Sequence, residues 1–145
     1  MTSVPFIDLK REAAFFESEL ISTTKEVIRS GIYINGENVL KLEKYLADYC
    51  GTKYCISVGN GSDAIELVMR SLGISIGDEV ICPANSFIAS AWAISAVGAK
   101  PVFADVEDDL LMTLKNIKKC VSKKTRAILT VHLTGKLSDI DSITK

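Results

Sequence analysis

The sequence is short of the usual soft metal ligands. It has one histidine, His132, and four cysteines, at 50, 55, 82 and 120, with no C-x-x-C pair among them. A zinc site needs four clustered donors, and this supply does not fit one. Nor does charge of one sign dominate. Lys plus Arg is 17 and Asp plus Glu is 18, so no basic footprint for nucleic acid or an anionic membrane is expected. Long apolar runs are missing too. The longest weakly polar stretch, 86–99, is too short for a bilayer and carries Ser86, Ser90 and Ser95. Asp8 and Lys10 stand where a signal peptide would need an apolar block. A cytoplasmic protein is expected, without membrane or nucleic-acid partners.

The chain does hold enough apolar material for a core. Of its 145 residues, 48% are hydrophobic, which suits one ordinary domain and excludes disorder. Cys55 and Cys82 fall within apolar, strand-like runs and read as small buried hydrophobes in a reducing compartment. Val4 to Leu9 looks extended. Phe16, Leu20, Val27 and Ile28 recur near helical spacing over 11–29, and Ser30-Gly31 closes that run. Asn35-Gly36 marks a turn. A second helix places Val39, Leu42, Leu46 and Tyr49 on one face before Gly51.

Beyond residue 52 the pattern changes. Strands are expected at 54–58, 79–82, 101–104 and 126–133, with helices at 62–72, 87–97, 114–121 and from 139 onward. This alternation predicts an α/β fold with a mainly parallel sheet and flanking helices. Unbroken apolar runs such as Val80-Ile81-Cys82 suit burial on both faces. Residues 1–52 read as an extended segment with two helices, and 53–145 as a partial βαβ domain. Trp92 reads as core packing, the lysines at 115–124 as a solvated face, and His132 as a positioned structural residue.

The chemically informative stretch is Ser57-Val58-Gly59-Asn60-Gly61-Ser62-Asp63-Ala64-Ile65. A glycine turn that opens a helix leaves free N–H groups and a partial positive charge, which favour a phosphate. Gly61 would let backbone approach the anion, and Ser62 could add a hydroxyl. Ser62 or Asp63 could equally be a plain helix cap, and both readings use the same geometry. Gly59-x-Gly61-x-x-Ala64 also fits a dinucleotide fingerprint. That fingerprint wants an acid at the end of the next strand, where Ile81-Cys82-Pro83-Ala84-Asn85 has none.

Cys82-Pro83-Ala84-Asn85-Ser86-Phe87-Ile88-Ala89-Ser90 resembles the P-A-N-T-F-x-A-T stretch of the DegT/DnrJ/EryC1/StrS sugar aminotransferases, and 58–65 resembles their V-x-N-G-T-D-A-L. Pro5-Phe6-Ile7-Asp8-Leu9, Ile34-Asn35-Gly36, Pro101-Val102-Phe103-Ala104-Asp105 and Val131-His132-Leu133-Thr134-Gly135 agree in order. The resemblance implies an incomplete N-terminal portion of a fold-type I large domain. It implies pyridoxal 5'-phosphate, with the phosphate on Gly61, Ser62 and Asp63 and the ring under Phe87. Without the flanking match, Phe87 reads as a core aromatic. Tyr33, Asn35 and Gly36 are implied near an active site shared across a homodimer, and Tyr33 reads equally as a packing residue.

The implied reaction moves an amino group, from glutamate, onto a nucleotide-linked keto sugar. Thr134 and Lys136 depart from the aromatic and the Gln or His usual there, which bears on substrate fit. The family's cofactor-bearing lysine and pyridinium carboxylate are expected beyond this chain, and neither Lys136 nor Lys145 lies in the serine-led motif that marks that lysine. No catalytic residue is therefore assigned. The chain reads as a fragment or truncated copy of such an enzyme. Two other readings stand beside it: a non-catalytic phosphate-ligand binder or dimerising relative, and a small Rossmann-like nucleotide-binding domain.

Overall fold

The computed structural model describes residues 4–144. They divide into two compact units, Met1–Ser57 and Val58–Lys145.

The first unit is helical. α1 (Leu9–Ser30) starts at Asp8, whose carboxylate accepts the Arg11 N–H, and stops at Gly31 in the left-handed conformation. The expected extended segment therefore gives way to helix at Leu9. α1 buries no residue, so its apolar stripe of Phe16, Leu20 and Ile28 faces outward. α2 (Glu37–Cys50) runs to a left-handed Gly51. Its covered face is centred on Ala47 with Val39, Glu43 and Leu46, whereas Leu42 and Tyr49 are exposed, contrary to the predicted face.

Residues 54–58 are corrected only in part, since the family arrangement implies a first strand that does not neighbour the next three. They were expected to form the first strand, yet no sheet accepts them. Ile56 is 80% exposed, and Cys55 is only half-buried. Their apolar composition suits a strand, but a strand also needs a partner for its backbone groups.

The second unit holds a parallel sheet. α3 (Gly61–Ser71) leads to β1 (Glu79–Pro83), then α4 (Ala89–Ala96), β2 (Lys100–Ala104), α5 (Leu114–Lys118), β3 (Thr125–Ile128), a 3-10 turn at Leu133–Gly135 and α6 (Ile140–Ile143). The order is β2-β1-β3, both pairings parallel. β3 is half the length expected, because its pairing with β1 ends at Ile81 with Ile128. α4 begins two residues later than predicted, leaving Phe87 ahead of it.

Helices cover both faces. On one, Val80 and Cys82 pack with Met69, Ile74, Ile94 and Val97. On the other, Ile81 packs with Ala104, Met112 and Ile117. Val80, Ile81 and Cys82 are each fully buried, which explains the apolar run of β1. Burial also pushes the Cys82 thiol up to about 11, so it behaves as a small hydrophobe. Trp92 does not join this core. It is 63% exposed on α4, beside the equally open Ile88.

Between α3 and β3 lies an apolar groove of about 270 Å³, lined by Ile65, Val68, Leu72, Ala127 and Leu129 among others. Among the described residues, no strand pairs with the outer edge of β3.

Candidate functional site

In a parallel sheet, ligands gather where the strands' carboxyl ends meet helix N-termini. α4 leaves the carboxyl end of β1. Arg70, in the last turn of α3, donates from Nη2 to the Ala96 carbonyl at the end of α4, at 3.1 Å. The two helices thus finish together, and the N-terminus of α3 points to the same sheet edge as Phe87. Gly61, Ser62 and Asp63 open α3, and Phe87 stands just ahead of α4, within the same second unit.

The start of α3 is capped by Asn60, a residue the sequence reading passed over. Asn60 Oδ1 accepts the Asp63 N–H at 2.9 Å, and its Nδ2 donates to Asp63 Oδ2 at 3.0 Å. Ala64 N–H is taken by the Asn60 carbonyl at 3.1 Å. Neither Ser62 nor Asp63 is the cap. The helical geometry leaves the N–H groups of Gly61 and Ser62 without intrahelical acceptors. Asp63 is committed inward to Asn60, by both its N–H and its carboxylate. The Asx signal was visible in the sequence, since Asn is among the strongest N-cap residues.

The two glycines of the turn differ. A Cβ on Gly59 would lie 2.7 Å from Asp63 Oδ2, the tip of an exposed side chain that would have to turn away and give up its bond from Asn60 Nδ2. A Cβ on Gly61 would meet nothing within 4 Å, and Gly61 does not carry a positive φ. Packing and backbone conformation give no reason for a glycine at 61. An absent side chain over open N–H groups is what a phosphate oxygen requires, and the position fits one.

Phe87 is 75% exposed, which removes the reading as a core aromatic. Loops after the other two strands reach the same edge. Lys136, after β3, pairs with Asp109, after β2, at 2.8 Å. The Lys136 ammonium beside Asp109, by hydrogen bond first, holds that carboxyl below its usual range. Lys136 is thus engaged with a carboxylate, and Lys145 lies outside the described residues. Among the described residues, no cluster of three His, Cys, Asp or Glu could hold a metal ion. Likewise none of their helices is long and apolar enough to cross a membrane.

Tyr33, Asn35 and Gly36 belong to the first unit. Tyr33 donates its hydroxyl to the Ile28 carbonyl at 3.3 Å, and Asn35 adopts φ 51°. Gly36 is the N-cap of α2. Tyr33 and Gly36 line a cleft of about 250 Å³ with Val27, Ser30 and Glu37.

The architecture is that of part of the large domain of fold-type I pyridoxal-phosphate enzymes. The chain belongs to the DegT/DnrJ/EryC1/StrS aminotransferase family, whose pattern matches residues 16–145. It is 43% identical over 142 residues to the dTDP-3-amino-3,6-dideoxy-alpha-D-galactopyranose transaminase of Aneurinibacillus thermoaerophilus, covering 97% of this chain and 39% of that relative. It is 38% identical to the UDP-2-acetamido-2-deoxy-3-oxo-D-glucuronate aminotransferase of Pseudomonas aeruginosa, covering 97% and 39%. Among solved structures, S. venezuelae DesV in complex with a ketimine intermediate superposes with a TM-score of 0.95 at 37% identity, over 99% of this chain and 39% of that one. NtdA from Bacillus subtilis with bound cofactor PMP gives 0.93 at 34%, over 99% and 33%. The chain thus spans about 39% of the length of the curated relatives it matches.

Proposed function

We propose that this chain supplies the phosphate-and-ring side of the cofactor site in a pyridoxal-phosphate-dependent aminotransferase. The carrying observation is Gly61, a glycine that neither packing nor φ explains, beside two N–H groups without helical partners. Gly61 and Ser62 would hold the phosphate through backbone N–H groups, the Ser62 hydroxyl and the positive end of α3. Asp63 serves indirectly, tying the turn together through Asn60. An exposed Phe87 offers a face for the pyridine ring and shields it from water. When bound, pyridoxal phosphate supplies an electron sink and carries the amino group. No residue of this chain is assigned to proton transfer.

For the whole protein the proposed acceptor is a nucleotide-linked keto sugar, which the relatives' names support, and the proposed donor is glutamate, in a cytoplasmic homodimer. Tyr33, Asn35 and Gly36 are proposed for the substrate or dimer side. The dinucleotide reading is the weaker one, because the strand after the glycine turn, β1, runs into Ala84-Asn85 with no acid to hold a ribose.

The test is a titration of this chain with pyridoxal phosphate, followed by absorbance. Weak, reversible binding is expected, displaced by inorganic phosphate. Ser62→Ala should weaken it by about 1.5–3 kcal/mol, one hydrogen bond to a charged group. Borohydride should leave no adduct at a unique lysine. A stoichiometric adduct on Lys136, or tighter binding of a nicotinamide dinucleotide, would contradict the proposal.

A further inference from the structure

His132 is the chain's one histidine, and the proposed function gives it no task. Its Nδ1 accepts the backbone N–H of Ser138 at 3.0 Å. Ser138 is buried, and its hydroxyl donates to the Val131 carbonyl at 3.1 Å. These two bonds close the chain into a loop over 132–138. Inside that loop Thr134 sits at φ 56° and Gly135 at φ 84°. A β-branched residue in the left-handed region is costly, so the surrounding contacts must hold it there. Lys136–Asp109 is one such contact, but both side chains are well exposed, and such pairs contribute little. The His132–Ser138 bond reaches a buried partner and is the firmer tie.

An imidazole accepts at Nδ1 only while that nitrogen carries no proton. With the Ser138 N–H already bound there, the neutral ring keeps its proton on Nε2. Protonation of Nδ1 would set two donors face to face. We infer that His132 is a positioning residue: its neutral imidazole latches the 133–137 loop at the carboxyl edge of the sheet, and protonation opens it. Histidine side chains ordinarily change charge between pH 5 and 8, which sets the range for a test. The charged groups around it are Asp139 and Asp141, which line the same cleft, and Lys136 on the loop, paired with Asp109. The consequence for ligand binding rests on the phosphate site proposed above, whereas the latch itself does not.

Amide hydrogen exchange of this chain, without ligand, tests the latch at pH 5 and pH 8 after correction for intrinsic rates. Protection of the Ser138 amide should be roughly tenfold lower at pH 5, the loss of about one hydrogen bond. Protection of Val80 and Ile81 should be equal at the two pH values. His132→Asn offers an amide oxygen as acceptor and has no charge to gain. It should protect Ser138 at both pH values, and His132→Ala at neither. Equal protection of Ser138 in the unaltered chain would overturn the inference. So would an unchanged pH dependence in His132→Asn, or an imidazole ¹⁵N spectrum showing the neutral proton on Nδ1. A failed phosphate site would leave all these outcomes as they are.

Discussion

Residues 54–58 and β1 have nearly the same composition, short and apolar with a cysteine inside, and opposite fates. In β1, Val80, Ile81 and Cys82 are completely buried between two strands and two helical layers. In 54–58, Tyr54 is 71% and Ile56 80% exposed, and the backbone joins no ladder. It is held by the Ser57 N–H, donated to Glu43 Oε1 at 2.7 Å, and by the Tyr54 carbonyl, which accepts the Thr52 hydroxyl at 3.1 Å. A strand is made by its neighbours as much as by its own residues. β1 has both neighbours nearby in sequence, and 54–58 has none.

The sharpest way to break this comparison is a paired truncation. Ile81→Ala should cost about 2–5 kcal/mol, lost contacts plus a cavity, in urea unfolding. Ile56→Ala should stay within about 0.5 kcal/mol, as for other exposed positions. Equal costs would mean that 54–58 is buried in solution, in an assembly or another pairing.

The glycine turn offers the next contrast. Gly59→Ala turns the Asp63 carboxylate away from Asn60 and should destabilise by about 0.5–1.5 kcal/mol, one hydrogen bond. Gly61→Val should leave the melting temperature nearly unchanged and abolish phosphate-competable binding of pyridoxal phosphate. If Gly61→Val instead unfolded the chain and Gly59→Ala did not, the roles of the two glycines would be reversed.

Exposed aromatics separate on function alone. Phe87→Ala and Trp92→Ala should each change stability by less than about 0.5 kcal/mol. Phe87→Ala should weaken cofactor binding, and Trp92→Ala should not. Calorimetry with both variants distinguishes a stacking face from a general apolar patch.

The smallest effect is electrostatic. The Ser122 hydroxyl, at 2.6 Å, and then Lys100 hold the Glu79 carboxyl below its ordinary value of 4.5. A lowered folded value means stability that is present above about pH 4.5 and lost as pH falls through the folded value. The stability gap between the unaltered chain and Glu79→Gln should therefore be widest near neutral pH and narrow in acid. A gap that widens in acid would show the sign to be wrong.

Much of this was legible beforehand, and the exceptions have physical causes. The parallel sheet and three of its strands followed from apolar runs spaced by helices, because β1 to β3 satisfy one another locally. Strand 54–58 failed because period and composition report burial potential, whereas pairing depends on chain that must come alongside. The outward faces of α1 and α2, and of Trp92, were misread for the same reason: an apolar stripe says that a surface wants cover, not that this chain provides it. At the candidate site, motif order points to Gly61, Ser62 and Phe87, which stand at the start of α3 and just ahead of α4. Asn60 was missed because attention went to the hydroxyl and carboxylate inside the helix, although the residue just before it is the one placed to cap.

The β2-β1-β3 order also has a consequence in time. β1 meets β2 through pairs such as Cys82 with Phe103, and meets β3 through pairs such as Ile81 with Ile128. The second closure spans a little over twice the sequence separation of the first, which raises its entropic cost by only about 0.6 kcal/mol. The two ladders should therefore form almost together, from consecutive sequence, as soon as α5 and β3 have left the ribosome. Synthesis at roughly 5–20 residues per second is slow against such closures, so β3 stands with its outer edge formed while later residues are still being added. Any segment that follows meets a finished template rather than an open search. The same edge, waiting uncovered, is where a nascent chain would be vulnerable to pairing with its neighbours.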